Sequence, residues 1–120
     1  MNPAMPHTLL TAAQRQKLLA NGRKSAAGRD LDPRPVVKLF LADGHATWLL
    51  TELDPAEPTR AFGLCDLGLG TPELGTIDLT ELVSLRGYLK LPLTRDVYFQ
   101  PDRPLSAYAD AARQAGRITA

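Results

Sequence analysis

The tightest constraint on this chain is a pair of apolar runs either side of Asp43-Gly44, within VVKLFLADGHATWLLTELD. In Val36 to Leu41 the residues alternate, with Val37, Leu39 and Leu41 on one face and Lys38 on the other. Asp-Gly is the dipeptide that favours a two-residue type I′ turn, because both of its residues tolerate positive φ. The return strand, Ala46 to Leu53, then places Trp48, Leu50 and Glu52 on one face and Leu49, Thr51 and Leu53 on the other. Pro55 to Thr59 reads as a polar loop.

Further strands follow. Ala61 to Leu67 is a third strand, and two glycines and a proline in Gly68-Leu-Gly-Thr-Pro72 force a turn. Glu73 to Ile77 makes a fourth strand. Asp78 and Glu81 are spaced as a carboxylate capping box for a short helix buried through Leu79, Leu82 and Val83, with Gly87 at its C′ position. Thr94 to Phe99 is a strand that turns Val97 and Phe99 inward. At the start, Thr11 and Gln14 form a capping box for a helix that Gly22 stops, followed by a basic loop over residues 22–35. At the end, Pro104 opens a helix running to about Gln114, buried through Leu105, Tyr108, Ala109 and Ala112 and ended by Gly116. The order α-β-β-β-β-α-β-α predicts a single α+β domain over residues 1–120. Its mostly antiparallel sheet has about five strands, with helices packed mainly on one face. Residues 1–8 and 117–120 are expected to be frayed.

At 120 residues the chain can enclose one core without disulfide or metal. Cys65 is the single cysteine, which removes any intrachain disulfide and fits a reducing cytoplasm. The opening MNPAMPHTLLTAAQRQ has neither the basic nor the apolar region of a signal peptide, and no run approaches the ~20 apolar residues that cross a bilayer. A cytoplasmic protein is expected. The net charge of +1 hides a segregation: residues 1–41 sum to +5, residues 42–81 to −7 and residues 82–120 to +3. Such blocks can steer partners of opposite sign.

The segments LLTAAQRQKL, VVKLFLADGHATWLLTELD, FGLCDLGLGTPELGTIDLTEL and RGYLKLPLTRDVYF, in that order, resemble a family of small uncharacterised proteins of conjugative plasmids and integrated elements. The family is domain of unknown function number 2958, and the resemblance covers Leu9 to Phe99. It implies a mobile-element accessory protein and assigns no reaction, so it names none of Glu52, Glu73 or Asp96 as catalytic.

Specific chemistries fare poorly. Gly68-Leu-Gly70-Thr-Pro-Glu73 has a glutamate where a dinucleotide loop needs its third glycine, and a strand rather than a helix follows. No phosphate-binding P-loop motif occurs. His7 and His45 are the only histidines, and no zinc-ligand spacing exists, so no metal or other cofactor is expected. Cys65 reads as a small buried hydrophobe. A carboxylate-dependent hydrolase would need Glu52 brought beside Glu73 or Asp96.

The leading expectation is a non-enzymatic accessory domain that binds a protein through a charged sheet face or edge. Trp48, Glu52, Glu73, Arg86, Arg95 and Asp96 are its candidate residues, with an Arg–carboxylate network as their structural alternative. The second expectation is weak, sequence-independent nucleic-acid binding through Arg15, Lys17, Arg23, Lys24, Arg29 and Arg34. No membrane partner is expected.

Overall fold

The computed structural model describes residues 9–29, 31–86 and 91–120. Its elements run α1 (Ala12–Ala26), β1 (Val37–Leu41), β2 (Thr47–Asp54), β3 (Glu57–Asp66), β4 (Glu73–Asp78), α2 (Leu79–Leu82), β5 (Leu93–Arg95) and α3 (Leu105–Ala115). The five strands form one antiparallel sheet in the order β4-β3-β2-β1-β5, so the α+β architecture and its element order are as the sequence predicts. On the front face, Leu18 of α1 and Leu79, Leu82 and Val83 around α2 meet Val37, Leu39, Trp48, Leu50, Leu53, Ala61 and Ile77. On the back face, Leu105, Tyr108, Ala109 and Ala112 of α3 cover Leu49 and Leu64. Two helices therefore share one face and the third covers the other.

The capping box forms: Thr11 Oγ1 accepts from the Gln14 amide and Gln14 Oε1 from the Thr11 amide, both at 3.0 Å. Gly22, however, does not stop α1, which continues to Ala26. The stop is Gly28, at φ +83°. Its amide donates to Ser25 O and that of Arg29 to Lys24 O, the double bond of a Schellman ending. Gly22 instead lets the helix backbone rest on β2, since a Cβ there would overlap the Leu53 carbonyl oxygen and lie 2.9 Å from its carbon. The expected loop over 22–35 thus shrinks, and what remains is tied down. Pro33 O accepts from the Leu105 amide at 3.0 Å, and the Asp32 carboxylate accepts from the amide and hydroxyl of Ser106, capping α3.

The first hairpin turn is longer than two residues. Leu41 donates to Ala46 O across a four-residue loop, and Gly44 is not among the glycines with positive φ, so the type I′ expectation fails. The polar loop at 55–59 is also absent. Asp54 pairs with Glu57 across Pro55-Ala56, the Ala56 amide donating to Asp54 Oδ1, and β3 starts at Glu57. Pro58 is tolerated there because β4 reaches only to Arg60, which leaves β3 with a single neighbour beyond it.

A bulge at Thr51 reverses the expected faces of β2. Leu50 opposes Gly63 and Glu52 opposes Phe62, so Thr51 is the extra residue. Leu53 consequently joins Trp48 and Leu50 in the front core, while Glu52 turns to the back. Asn21 of α1 donates to the Thr51 carbonyl at 2.9 Å, pairing a backbone group that the bulge leaves outside the ladder.

Three further expectations need correction. The strand at 94–99 ends at Arg95, because the Asp96 carboxylate accepts from the Tyr98 amide and bends the chain. Val97 is exposed there instead of inward, while Phe99 packs on Tyr108 with ring centroids 6.3 Å apart. Residues 117–120 are not frayed. Ile118 is buried and its amide donates to Asp66 Oδ2 at 2.8 Å, and Lys38 Nζ donates to the Ala120 oxygen. Asp78 caps α2 through the Thr80 amide, and α2 is a single turn. Gly87 and residues 1–8 lie outside the described residues.

Candidate functional site

The six residues singled out for a charged binding face do not converge. Trp48 is buried in the front core, facing Cys65 across the β2–β3 pair. Burial pushes the Cys65 pKa up, and the Trp48 contact offsets part of that rise. Arg86 turns back onto the carbonyls of Val83 and Leu85, at 3.0 and 2.7 Å. Arg95 donates to Leu9 O at 2.9 Å. Both guanidiniums therefore serve backbone oxygens rather than an Arg–carboxylate network. The cation beside Asp96 is Lys38, at 3.4 Å.

The carboxylate pairs needed for hydrolysis are not assembled. Glu52 opposes Phe62 of β3, whereas Glu73 opposes Cys65. Facing residues share a sheet face, so the two glutamates lie on opposite faces, about 10 Å apart along the strand direction. Asp96 lies beyond β1 from β2, at the far edge of the sheet. Glu52 instead lines a cleft of about 250 Å³ with Ser25, Asp54, Arg60, Phe62 and Thr76. The second acid of that cleft, Asp54, holds the Ala56 amide, and Arg60 is paired with Glu57 at 2.9 Å. Among the described residues no group of three or more His, Cys, Asp or Glu could hold a metal ion. No described helix is long and apolar enough to cross a membrane.

Five of the eight acids in the acidic middle of the chain fall into two groups. Asp54, Asp66 and Asp78 are spent on turns and caps. The buried Asp66 carboxylate accepts from the amides of Gly68 and Ile118 and so joins the end of β3 to the C-terminal segment. Asp78 is held below the usual carboxylate range by the Thr80 hydroxyl and amide. Glu73 and Glu81 make no ion pair or side-chain hydrogen bond among the described residues. They flank β4, an edge strand joined only to β3, with five of its six residues exposed or half-exposed. It carries the exposed Leu74, and the segment leading into it exposes Leu67 and Leu69. Of this surface the sequence picked out only Glu73. The leucines read as ordinary strand and turn residues, and their exposure depends on which strand becomes the edge.

The basic candidates lie on and just after α1. Arg15, Lys17, Arg23 and Lys24 project from α1, and Arg29 and Arg34 follow it. None of the six has an ion pair among the described residues, and no acid occurs between Leu9 and Arg29. All except Arg15 are exposed.

No curated protein and no solved structure matches the chain significantly. One family model does, that of the protein of unknown function DUF2958, over residues 9–119. With nearly its whole length matched, the chain belongs to the DUF2958 family.

Proposed function

We propose that the protein is a cytoplasmic, non-enzymatic interaction domain of mobile genetic elements, and that it docks a basic protein partner on the acidic sheet edge around β4. The observation that carries this reading is the edge itself: an open strand flanked by the unpaired Glu73 and Glu81 and bordered by exposed leucines. Open edges and exposed apolar clusters are costly to leave bare and commonly mark interaction sites. The mobile-element setting rests on the family resemblance. A photo-crosslinking side chain at Thr76 should give adducts with basic proteins of the native host, suppressed by Glu73→Lys. The same probe at Ala13, on α1, should not. Equal labelling from both positions would reject the reading.

A second reading is supported by the unpaired cations of α1: sequence-independent contact with nucleic-acid phosphates. Replacing Lys17 and Lys24 with alanine should then weaken a salt-sensitive electrophoretic shift and reduce its salt dependence by about two released counterions. The absence of any shift at low salt would eliminate it.

A further inference from the structure

The docking edge also specifies what it can accept. In an antiparallel ladder roughly half the backbone N–H and C=O groups of an edge strand point away from its only neighbour. β4 presents such a row over Glu73–Asp78, and no described segment hydrogen-bonds to it from the far side. The opposite edge, β5, is only three residues long. Proteins usually blunt a long edge with lysine, proline, a bulge or a cover. β4 contains neither lysine nor proline, and its register with β3 is unbroken from Arg60 to Cys65. Gly75 lies open, since a Cβ there would meet nothing within 4 Å.

The protection this strand does carry is charge of one sign, Glu73 at one end and Asp78 at the other. That pattern discriminates between occupants. Opposed residues of an antiparallel pair share a sheet face, so a second copy centred on Gly75 sets each Glu73 opposite the partner copy's Ile77. One centred on Thr76 sets each Asp78 opposite the partner copy's Leu74, and either register places an acid against an apolar side chain twice. A foreign strand with a cation at each end meets both acids favourably. Its central side chains would find the groove of about 280 Å³ beside the strand, lined by Leu67, Leu69, Leu74 and Cys65. Leu67 and Leu69 are 58% and 77% exposed, so this groove offers apolar surface that nothing described covers.

We infer that β4 takes up an extended segment of a partner protein as a sixth strand, apolar at its centre and bearing Lys or Arg at both ends. This rests on the docking edge proposed above and names its occupant. Main-chain hydrogen bonds supply the attachment and the flanking charges supply the selection.

The probe is a fluorescent peptide, Lys-Lys-Thr-Val-Thr-Val-Lys-Lys, with three companions: a Glu-flanked version and two versions N-methylated at alternate amides, one for each alternation. Titration into the full chain by anisotropy should show the Lys-flanked peptide binding, with at least one N-methylated version weakened about tenfold or more by lost strand bonds. Glu73→Lys should reverse the preference between Lys and Glu flanks. Amide exchange should slow at alternate residues of β4 on binding. If both N-methylated peptides bind as well as the parent while Glu73→Lys still weakens all three, strand addition is overturned and charge-directed docking at this edge survives. Failure of the Lys-flanked peptide to bind at millimolar concentration overturns the inference, and crosslinking from Thr76 then decides the broader reading separately. Sedimentation showing a dimer with the same β4 protection would overturn it in favour of a second copy.

Discussion

Replacing Gly22 with alanine sets local propensity directly against tertiary packing. In a solvated helix the change is stabilising by about 1 kcal/mol, because alanine loses less backbone entropy than glycine. Here the added Cβ would overlap the Leu53 carbonyl oxygen, lie 2.9 Å from the Leu53 carbonyl carbon and 3.3 Å from Pro55 Cδ. Ordinary carbon contacts are about 3.5–4.0 Å. The obstructing atoms are backbone and a proline ring, so no side chain can rotate away. The helix must lift from β2, loosening the fully buried Leu18 and stretching the 2.9 Å bond from Asn21 to Thr51 O. Overpacking costs about 1–3 kcal/mol, and a buried carbonyl left without its donor about 1–3 kcal/mol more. After the propensity gain, the net loss is about 1–5 kcal/mol, centred near 3 kcal/mol. At about 4 °C per kcal/mol for a chain of this size, Tm should fall by about 10 °C. Thermal melts followed by circular dichroism, with urea titrations, would measure it. Gly75→Ala is the control: the site is open, so the melt should stay level or rise slightly. A Gly22→Ala protein as stable as wild type would refute the contact between α1 and the β2 bulge.

Other consequences are as direct. Asp66→Ala leaves the Gly68 and Ile118 amides without an acceptor and should cost about 2–4 kcal/mol, with faster hydrogen exchange at Ile118 before the rest of the sheet. Asp102 is held down to about 2 by Arg103 and then by the Tyr108 hydroxyl, and Asp78 is lowered by Thr80. A depressed carboxylate contributes stability above its unfolded pKa of about 4 that is lost as pH falls towards its folded value. The urea midpoint should therefore decline between about pH 4 and pH 2, and Asp102→Asn should flatten part of that decline. Cys65, raised chiefly by burial, should react with iodoacetamide at pH 7 well below the rate of a free thiol.

The elements best read from the chain were those whose signal is local and one-dimensional. The Thr11–Gln14 box and the stripe of Leu105, Tyr108, Ala109 and Ala112 emerged as expected. Where the reading failed, a residue's partner lay far along the chain. Gly22 looks like a terminator until Leu53 is placed against it, and Asp32 looks like loop until it reaches Ser106. The candidate site suffered most. Strict alternation put Glu52 beside Trp48, but one bulged residue, stabilised by Asn21 from another element, moved the glutamate to the other face.

Sequence alone therefore determined the α+β class, the element order and the burial of the last helix, because periodicity and capping are written in residues three or four apart. Tertiary structure decided the rest: the strand order that makes β4 an edge, the bulge that reassigns Glu52, and the separation of structural aspartates from the exposed Glu73 and Glu81. Those are outcomes of pairing between distant segments. A one-residue slip in such pairing exchanges the inside and outside of a strand while leaving its local pattern unchanged.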